Sequence, residues 1–339
     1  RRTGEESGDC KVYLANYDRM ELHVAAMLGE LDLREARPGI RAAEELALLE
    51  EEAAGPVLDE TQRRAVLAAV QSGLLIITGG PGTGKTTTIN AIIRCFEAEG
   101  AEILLAAPTG RAAARMTEAT GREAKTIHRL LEVSGAPSEQ NEGENGKENW
   151  SSVRFDRNKE QPLEADCIII DEMSMVDLRL FHALLQAVPV GAHLILVGDS
   201  NQLPSVGAGN VLRDLIDSGC LPVVQLTQIY RQAAESDIVV NANKMMDEEA
   251  IDLGKRSKDF LFIRQNTVEG VIETMLRLLT EKLPAYVGAE AKSIQLLTPV
   301  RRGALGVAGL NPVLQAKLNP PGAGKAEREF AHALFRVGD

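Results

Sequence analysis

Aromatic residues are scarce. Phe, Tyr and Trp make up 4% of the 339 residues, with a single Trp. Stacking on aromatic rings is therefore excluded as the dominant way this chain grips a ligand. Cysteine is equally sparse: Cys10, Cys95, Cys167 and Cys220 are scattered, with no CxxC pairing. A reduced, cytoplasmic setting fits that better than a disulfide framework. No apolar run is long enough to span a bilayer. The opening "RRTGEESGDC" is polar, so no signal peptide is visible, and without an initiator Met the true N-terminus is expected upstream. An excess of positive charge is lacking too. The net charge of −12 argues against a surface that coats nucleic acid broadly and leaves room for a local basic groove.

What is there is ordinary for a globular protein: 44% hydrophobic and 25% charged residues. The length suggests about two domains. Residues 1–55 read as a helical segment, since "YLANYDRMELHVAAMLGEL" and "RAAEELALLEEEAAG" repeat apolar residues every three or four positions. From residue 56 to 221 the texture alternates. Apolar runs "LLIITGG", "EILLAAP", "CIIIDE" and "HLILVGD" are each followed by helical stretches, which predicts a parallel sheet covered on both faces. Cys167, inside one such run, reads as a small core residue. A weaker α/β set is expected over 222–318, with "VVQLT", "FLFIRQ" and "SIQLLTPV" as strands and "VEGVIETMLRLL" as a helix. Residues 134–160 are polar and acidic, the composition of a disordered surface loop.

"GGPGTGKT" fits G-x-x-x-x-G-K-[ST] in full and lies between a predicted strand and a predicted helix. Gly79, Gly80, Pro81, Gly82, Thr83, Gly84, Lys85, Thr86 and Thr87 are thus the nucleotide-binding candidates. Glycines let backbone N–H groups turn inward around phosphate oxygens, and the helix start adds partial positive charge. Lys85 would reach the β- and γ-phosphates, and the Thr86 hydroxyl would hold Mg²⁺. Asp171 and Glu172 end the run "IIIDE". At the carboxyl edge of a buried strand, Asp171 suits the metal and Glu172 suits activation of the attacking water. "GDSNQLPSV" leaves the same kind of edge. Gln202 there is either a sensor of γ-phosphate and water, since an amide both donates and accepts, or a turn residue stiffened by Pro204. Asp59 and Gln62 have capping-box spacing, so Gln62 has a structural role open to it.

Together "GGPGTGKTTT", "APTGRAA", "TIHRLL", "IIIDEMSM", "GDSNQLPSVGAG", "LTQIYRQ" and "TPVRRGALGVAGLN" occur in the order found in RecD-like DNA helicases of superfamily 1. The chain resembles that family over about residues 11–339. The resemblance implies an α/β P-loop NTPase with RecA-like parallel sheets, one complete (56–221) and one partial (222–318), ATP and Mg²⁺ as cofactors, and 5′→3′ movement on single-stranded DNA. It implies Arg231 as an arginine reaching the γ-phosphate and Gln202 as the amide coupling that phosphate to domain movement. It implies adenine reading by Gln62, which stands beside the capping role. Thr109, Arg111, Thr126, His128, Arg301 and Arg302 match blocks on the strand-binding side; His128 fits a structural role equally well. A small wedge hairpin is expected within 133–163, with "VRFDRNKEQPLEAD" as its returning half.

Two later blocks of the family are absent, one with a glutamine–glycine pair and one with a further γ-phosphate arginine. Residues 319–339 read as the start of an inserted β-barrel, so the chain reads as truncated. Partners expected from the resemblance are single-stranded DNA, single-strand/duplex junctions and possible repair or recombination subunits. The competing reading is a nucleotide switch or a DNA-binding ATPase module without unwinding.

Overall fold

The computed structural model describes residues 13–32, 40–51, 58–134, 154–228, 235–255, 257–322, 324–330 and 333–339. The chain divides into two compact units, Arg1–Asp252 with Ser257–Phe260, and Leu253–Arg256 with Leu261–Asp339. Among the described residues no helix is long and apolar enough to cross a membrane.

In the first unit the strands are β1 (Leu74–Gly79), β2 (Ile103–Ala107), β3 (Ala124–Thr126), β4 (Val133–Ser134), β5 (Arg154–Phe155), β6 (Cys167–Ile170), β7 (His193–Gly198) and β8 (Val223–Leu226). Six of them form one parallel sheet in the order β3-β2-β6-β7-β1-β8. The central runs are buried along their whole length. Their residues alternate between two cores because successive side chains leave opposite faces. Leu75, Ile77, Cys167, Ile169, Ile195 and Val197 belong to one core, while Leu74, Ile76, Ile168, Ile170, Leu194 and Leu196 belong to the other.

Helices close both faces. The N-terminal helices join this unit from opposite sides: Val24, Leu28 and Leu31 of α1 (Ala15–Asp32) enter the second core, and Leu46 of α2 (Ile40–Glu51) enters the first. The helices α3 (Glu60–Gln71), α4 (Lys85–Ala98) and α5 (Gly110–Thr120) supply Val66, Ile92 and Met116 to the first core. The second core takes Ile127 from α6 (Ile127–Leu130), Phe181 from α7 (Leu178–Ala187) and Leu212 from α8 (Val211–Asp217). Caps set the starts: Thr109, Thr126 and Asp177 each accept an N–H from the first turn of α5, α6 and α7.

Two expectations change. Val223–Leu226 does not open a second sheet. It pairs with β1, Ile76 opposite Val223 and Gly79 opposite Leu226, and completes the first sheet. "FLFIRQ" and "SIQLLTPV" form no strand. An apolar run becomes a strand only when a neighbour takes up its N–H and C=O groups. No described strand of that unit pairs with either run. Leu261, Phe262 and Ile263 are accordingly more than half exposed. The second unit instead holds the expected helix at Val268–Arg277, a helix at Val307–Leu318 with Pro312 inside it, and an antiparallel pair, β9 (Glu327–Phe330) with β10 (Ala333–Arg336). A small core of Met275, Leu279 and Leu310 joins its helices.

Within 133–163, β4 and β5 pair antiparallel, Val133 opposite Phe155, so a two-stranded hairpin stem precedes β6. Residues 135–153 lie outside the described residues.

Candidate active site

β1 delivers the chain to the sheet edge, and the loop to α4 turns back on itself through Gly82 and Gly84, whose φ values of 76° and 78° belong to the left-handed region. Gly79 is needed for a different reason. A Cβ there would sit 2.5 Å from the Thr83 hydroxyl and 3.0 Å from the Leu226 carbonyl oxygen. Thr83 Oγ1 donates to the Gly80 carbonyl at 2.9 Å and closes the loop. Lys85 Nζ donates to the carbonyls of Gly79 (2.7 Å) and Gly80 (3.0 Å), so the ammonium already lies inside the loop. Thr86, one residue into the helix, is exposed, and its hydroxyl is uncommitted among the described residues. Pro81, Gly82 and Thr87 complete a loop whose helix-start N–H groups have no intrahelical partner. A glycine-rich loop with one cation and one such hydroxyl, closed to a Cβ at Gly79, fits a triphosphate with Mg²⁺.

The two carboxylates arrive on the next strand but one. Asp171 N–H donates to the Ala106 carbonyl at 2.9 Å, continuing the β2–β6 ladder past the end of β6. Asp171 Oδ1 accepts the Glu172 N–H at 2.8 Å. Glu172 has φ 55° and ψ 41°, a left-handed conformation unusual for a non-glycine residue, and it turns the carboxylate out of the strand direction. Burial pushes the Asp171 carboxyl above its ordinary value, opposed by the Glu172 N–H, Lys85 and Arg115. Burial also raises Glu172, reinforced by Asp171 and Asp199 and opposed by Lys85 and Arg115. Lys85 therefore acts on both carboxylates.

An acid raised in the folded state contributes stability that is complete below its unfolded value and lost as pH rises through its folded one. Asp171→Asn, which keeps the acceptor for the Glu172 N–H, is therefore expected to raise the melting temperature at pH 7. The gain should shrink as pH falls toward 3.8, the ordinary value for Asp. Thermal melts across that range check this, and a variant less stable than the parent at pH 7 would refute it.

The third strand end is β7. Asp199 is buried, and its carboxylate accepts the Asn201 N–H at 3.0 Å. The exposed Gln202 sits on the turn this makes: its N–H donates to the Asp199 carbonyl at 3.2 Å and its Nε2 to Asp199 Oδ2 at 3.5 Å. Thr78 and Ser200 link this loop to the end of β1, with their hydroxyls 3.2 Å apart and the Ser200 N–H donating to Thr78 Oγ1 at 3.3 Å.

Gln62 takes up the capping role. Its N–H donates to Asp59 Oδ1 at 2.8 Å and its Oε1 accepts the Asp59 N–H at 3.0 Å. Its Nε2 donates to the Gly84 carbonyl at 3.3 Å, and the residue is 0% exposed.

Beside this site lies a cavity of about 440 Å³ lined by Gly110, Ala113, Ala114, Glu123, Ala124, Lys125, Thr126 and Arg129. It brings the start of α5 and its neighbours Thr109 and Arg111 toward Thr126. The Thr109 and Thr126 oxygens accept cap N–H groups at 3.2 Å. Each hydroxyl still has its own hydrogen to donate. His128 is half-buried with its ring 6.1 Å from Phe155, and burial lowers its pKa, with Asp177 acting the other way. That is the environment of a packed histidine. Arg301 and Arg302 are exposed and belong to the second unit. Arg231 lies outside the described residues.

Sequence reasoning missed Arg115, Asp199, Thr78, Lys125 and Arg129. Asp199 had a signal, since it ends a buried strand as Asp171 does. The others act through α5, β3 and the sheet order, which no local pattern announces.

An AAA domain model matches residues 62–208. The ATP-dependent RecD2 DNA helicase of Deinococcus radiodurans is 35% identical over 333 residues, 98% of this chain and 42% of its own. The RecBCD enzyme subunit RecD of Mycobacterium tuberculosis strain H37Rv is 40% identical over 234 residues, 62% of this chain and 36% of its own. The crystal structure of the Pif1 helicase from Candida albicans aligns with 58% of this chain and 46% of its own, at 23% identity and a TM-score of 0.39. The chain spans less than half the length of these curated relatives.

Proposed function

This chain belongs to the RecD-like family of superfamily 1 DNA helicases, and from that premise we propose that it carries the ATP-hydrolysing half of a motor that moves 5′→3′ on single-stranded DNA. One observation supports this above the rest. Lys85, Asp171 and Glu172 reach the same edge of one parallel sheet, and the Lys85 charge acts on both carboxylates. In open parallel sheets, ligands bind beyond the carboxyl ends of the strands.

The geometry supports the roles that follow, Arg231 excepted, whose role rests on the family resemblance. The Gly79–Thr87 loop holds the phosphates. Lys85 leaves the carbonyls of Gly79 and Gly80 to meet phosphate oxygens. Thr86 and Asp171 hold Mg²⁺, which when bound neutralises charge on the phosphates. Glu172 takes the proton of the attacking water. Gln202 stands on the Asp199 turn, where it responds to the γ-phosphate. Arg231 supplies a further cation for charge that develops during transfer.

Single-stranded DNA is assigned to the groove between α5 and β3. Thr109, Arg111 and Thr126 contact the backbone there together with Lys125 and Arg129; Arg301 and Arg302, in the second unit, are separate candidates for DNA contacts. Cations and hydroxyls in place of rings match a protein that tracks backbone rather than base. Lys125→Ala with Arg129→Ala is expected to weaken single-strand binding about equally for every sequence. The slope of log affinity against log salt should become shallower by roughly 0.7 for each phosphate that is no longer neutralised. A salt titration by fluorescence anisotropy measures it, and an unchanged slope removes the groove from the interface.

A nucleotide switch is the competing reading. Steady-state ATPase assays with and without single-stranded DNA separate the two: strong stimulation supports the motor, and binding of Mg·ATP without DNA-dependent turnover supports the switch. Subunits for repair or recombination are further proposed partners, by analogy with the relative named as a RecBCD subunit.

A further inference from the structure

We infer that Asp177 is a positioning residue for turnover: by abutting Gly207 it fixes the far end of the Gln202 loop to the chain segment that carries Glu172. The inference rests on the nucleotide reading above and deepens it, since it concerns how the water-activating and phosphate-sensing groups keep their spacing.

The Gln202 loop leaves β7 at Asp199 and rejoins the fold at α8. Both of its ends stand on residues 172–178. At the near end, β7 and the turn Met173–Met175 come so close that a Cβ on Gly198 would lie 3.1 Å from the Met173 nitrogen. At the far end, the Leu178 N–H donates to the Ala208 carbonyl at 3.0 Å. Gly207 lies directly against Asp177. A Cβ there would fall on the Asp177 carboxylate, with Asp177 Cβ and Cγ each 2.7 Å away. Ser205 braces this end, its hydroxyl placed to donate to the carbonyls of Gly207 (3.1 Å) and Gly209 (3.0 Å).

Between these two ends the loop arches into solvent. Gln202 is exposed, Leu203 is 87% exposed and Val206 is fully exposed. The base of the arch is the opposite. Met173 and Val176 are buried in the second core, and Asp177 Oδ1 accepts the Leu180 N–H at 2.9 Å to start α7. One carboxylate therefore serves two ends: Oδ1 anchors the helix, and Oδ2 occupies the space that a side chain at position 207 would need.

An arch held at both ends on a packed base has one position. Held at the near end alone, it would swing about Asp199 and carry Gln202 away from Glu172. Misplacement of about 1 Å can cost roughly 10²-fold in rate. Phosphate binding does not depend on this arch, because Lys85 and the Gly79–Thr87 loop stand on β1 and α4. The contact between Asp177 and Gly207 thus governs rate and leaves affinity alone.

Gly207→Ala drives a methyl group into the carboxylate and lifts the far end. It should lower the hydrolysis rate by about 10- to 100-fold and keep affinity for Mg·ATP within about threefold of the parent. Asp177→Gly removes the three Asp177 atoms that the methyl would meet, and glycine is a serviceable N-cap, so α7 loses little. Alone it releases the far end and should slow hydrolysis severalfold. With it in place, adding Gly207→Ala should cost nothing further, the non-additivity expected of two residues in contact.

The experiment is single-turnover hydrolysis and calorimetric titration with Mg·ATP for the parent, both single variants and the double variant, beside thermal melts of each. A fall in rate at near-parent affinity in Gly207→Ala, abolished in the Asp177→Gly background, is the expected result. An equal fall in both backgrounds would show that Asp177 is not what the methyl meets and would overturn the inference. Affinity falling in step with rate would make the contact part of ligand binding and overturn it too. If Gly207→Ala does not fold, Asp177→Gly decides alone, and a parent-like rate there overturns the inference. Failure of the parent to bind or hydrolyse Mg·ATP would instead fall on the nucleotide reading itself.

Discussion

Lys85→Ala is expected to remove measurable binding of Mg·ATP, a loss of roughly 100-fold or more in affinity. The ammonium is the one cation inside the loop among the described residues, and it sits 2.7 Å and 3.0 Å from two carbonyls that it exchanges for phosphate oxygens. Charge-assisted hydrogen bonds are about twice as strong as neutral ones, and the substitution removes more than one. A second effect adds to the first. Lys85 opposes the burial that raises Asp171 and Glu172, so without it both carboxyls move further up. A less ionised Asp171 holds Mg²⁺ less well. Calorimetric titration with Mg·ATP decides it, and unchanged affinity would show that Lys85 does not meet the phosphates.

Glu172→Gln should divide binding from turnover. Affinity for Mg·ATP is expected to stay within a few-fold of the parent, while the hydrolysis rate falls by about 10² to 10⁴, the usual worth of a positioned general base. Gln keeps the size of the side chain and its left-handed backbone but cannot take a proton. In the parent, burial and the neighbouring carboxylates raise Glu172 above its ordinary 4.5. The base must be ionised to act, so the rate should climb with pH on a limb lying above 4.5. That limb should vanish from the residual activity of the variant. Single-turnover kinetics across pH, with binding measured alongside, test both halves. A parallel fall in affinity and rate would place Glu172 in ligand binding.

The core of the first unit was legible because its strands announce themselves. "LLIITG", "CIII" and "HLILVG" are continuous apolar runs, and only a sheet covered on both faces needs them. The phosphate loop was legible because its glycines answer to steric demands that sequence states directly. Membership of the sheet was not. "VVQL" reads as a buried strand, but its apolar character cannot say that its neighbour is β1 rather than a strand further on. "FLFIRQ" shows the reverse case. Its residues favour a strand, yet pairing is a property of two segments, and no described strand stands beside this one. Gln62 was legible in both of its roles, and spacing alone could not rank them. In the structure the cap bonds to Asp59 are in place. Arg115, Lys125 and Arg129 were invisible for a related reason. On a helix or a short strand a cation is ordinary, and only tertiary packing sets Arg115 of α5 near the carboxylates and gathers Lys125 of β3 and Arg129 of α6 on one cavity.

The sheet order also governs when the phosphate loop can come into being. β1 is flanked by β7 and β8, so Leu74 waits for Leu194 and Ile76 for Val223. Both neighbours emerge from the ribosome long after β1. At about 5 to 20 residues per second the strand stays unpaired for roughly 6 to 24 seconds. Throughout that interval an apolar edge with no charge on it is open to other chains. Nucleotide cannot shorten the wait, because the carbonyls and N–H groups that would hold it have no fixed direction until β1 is clamped on both sides. Non-local pairing of this kind slows folding. ATP in the cell therefore selects the finished domain and offers nothing to the nascent one.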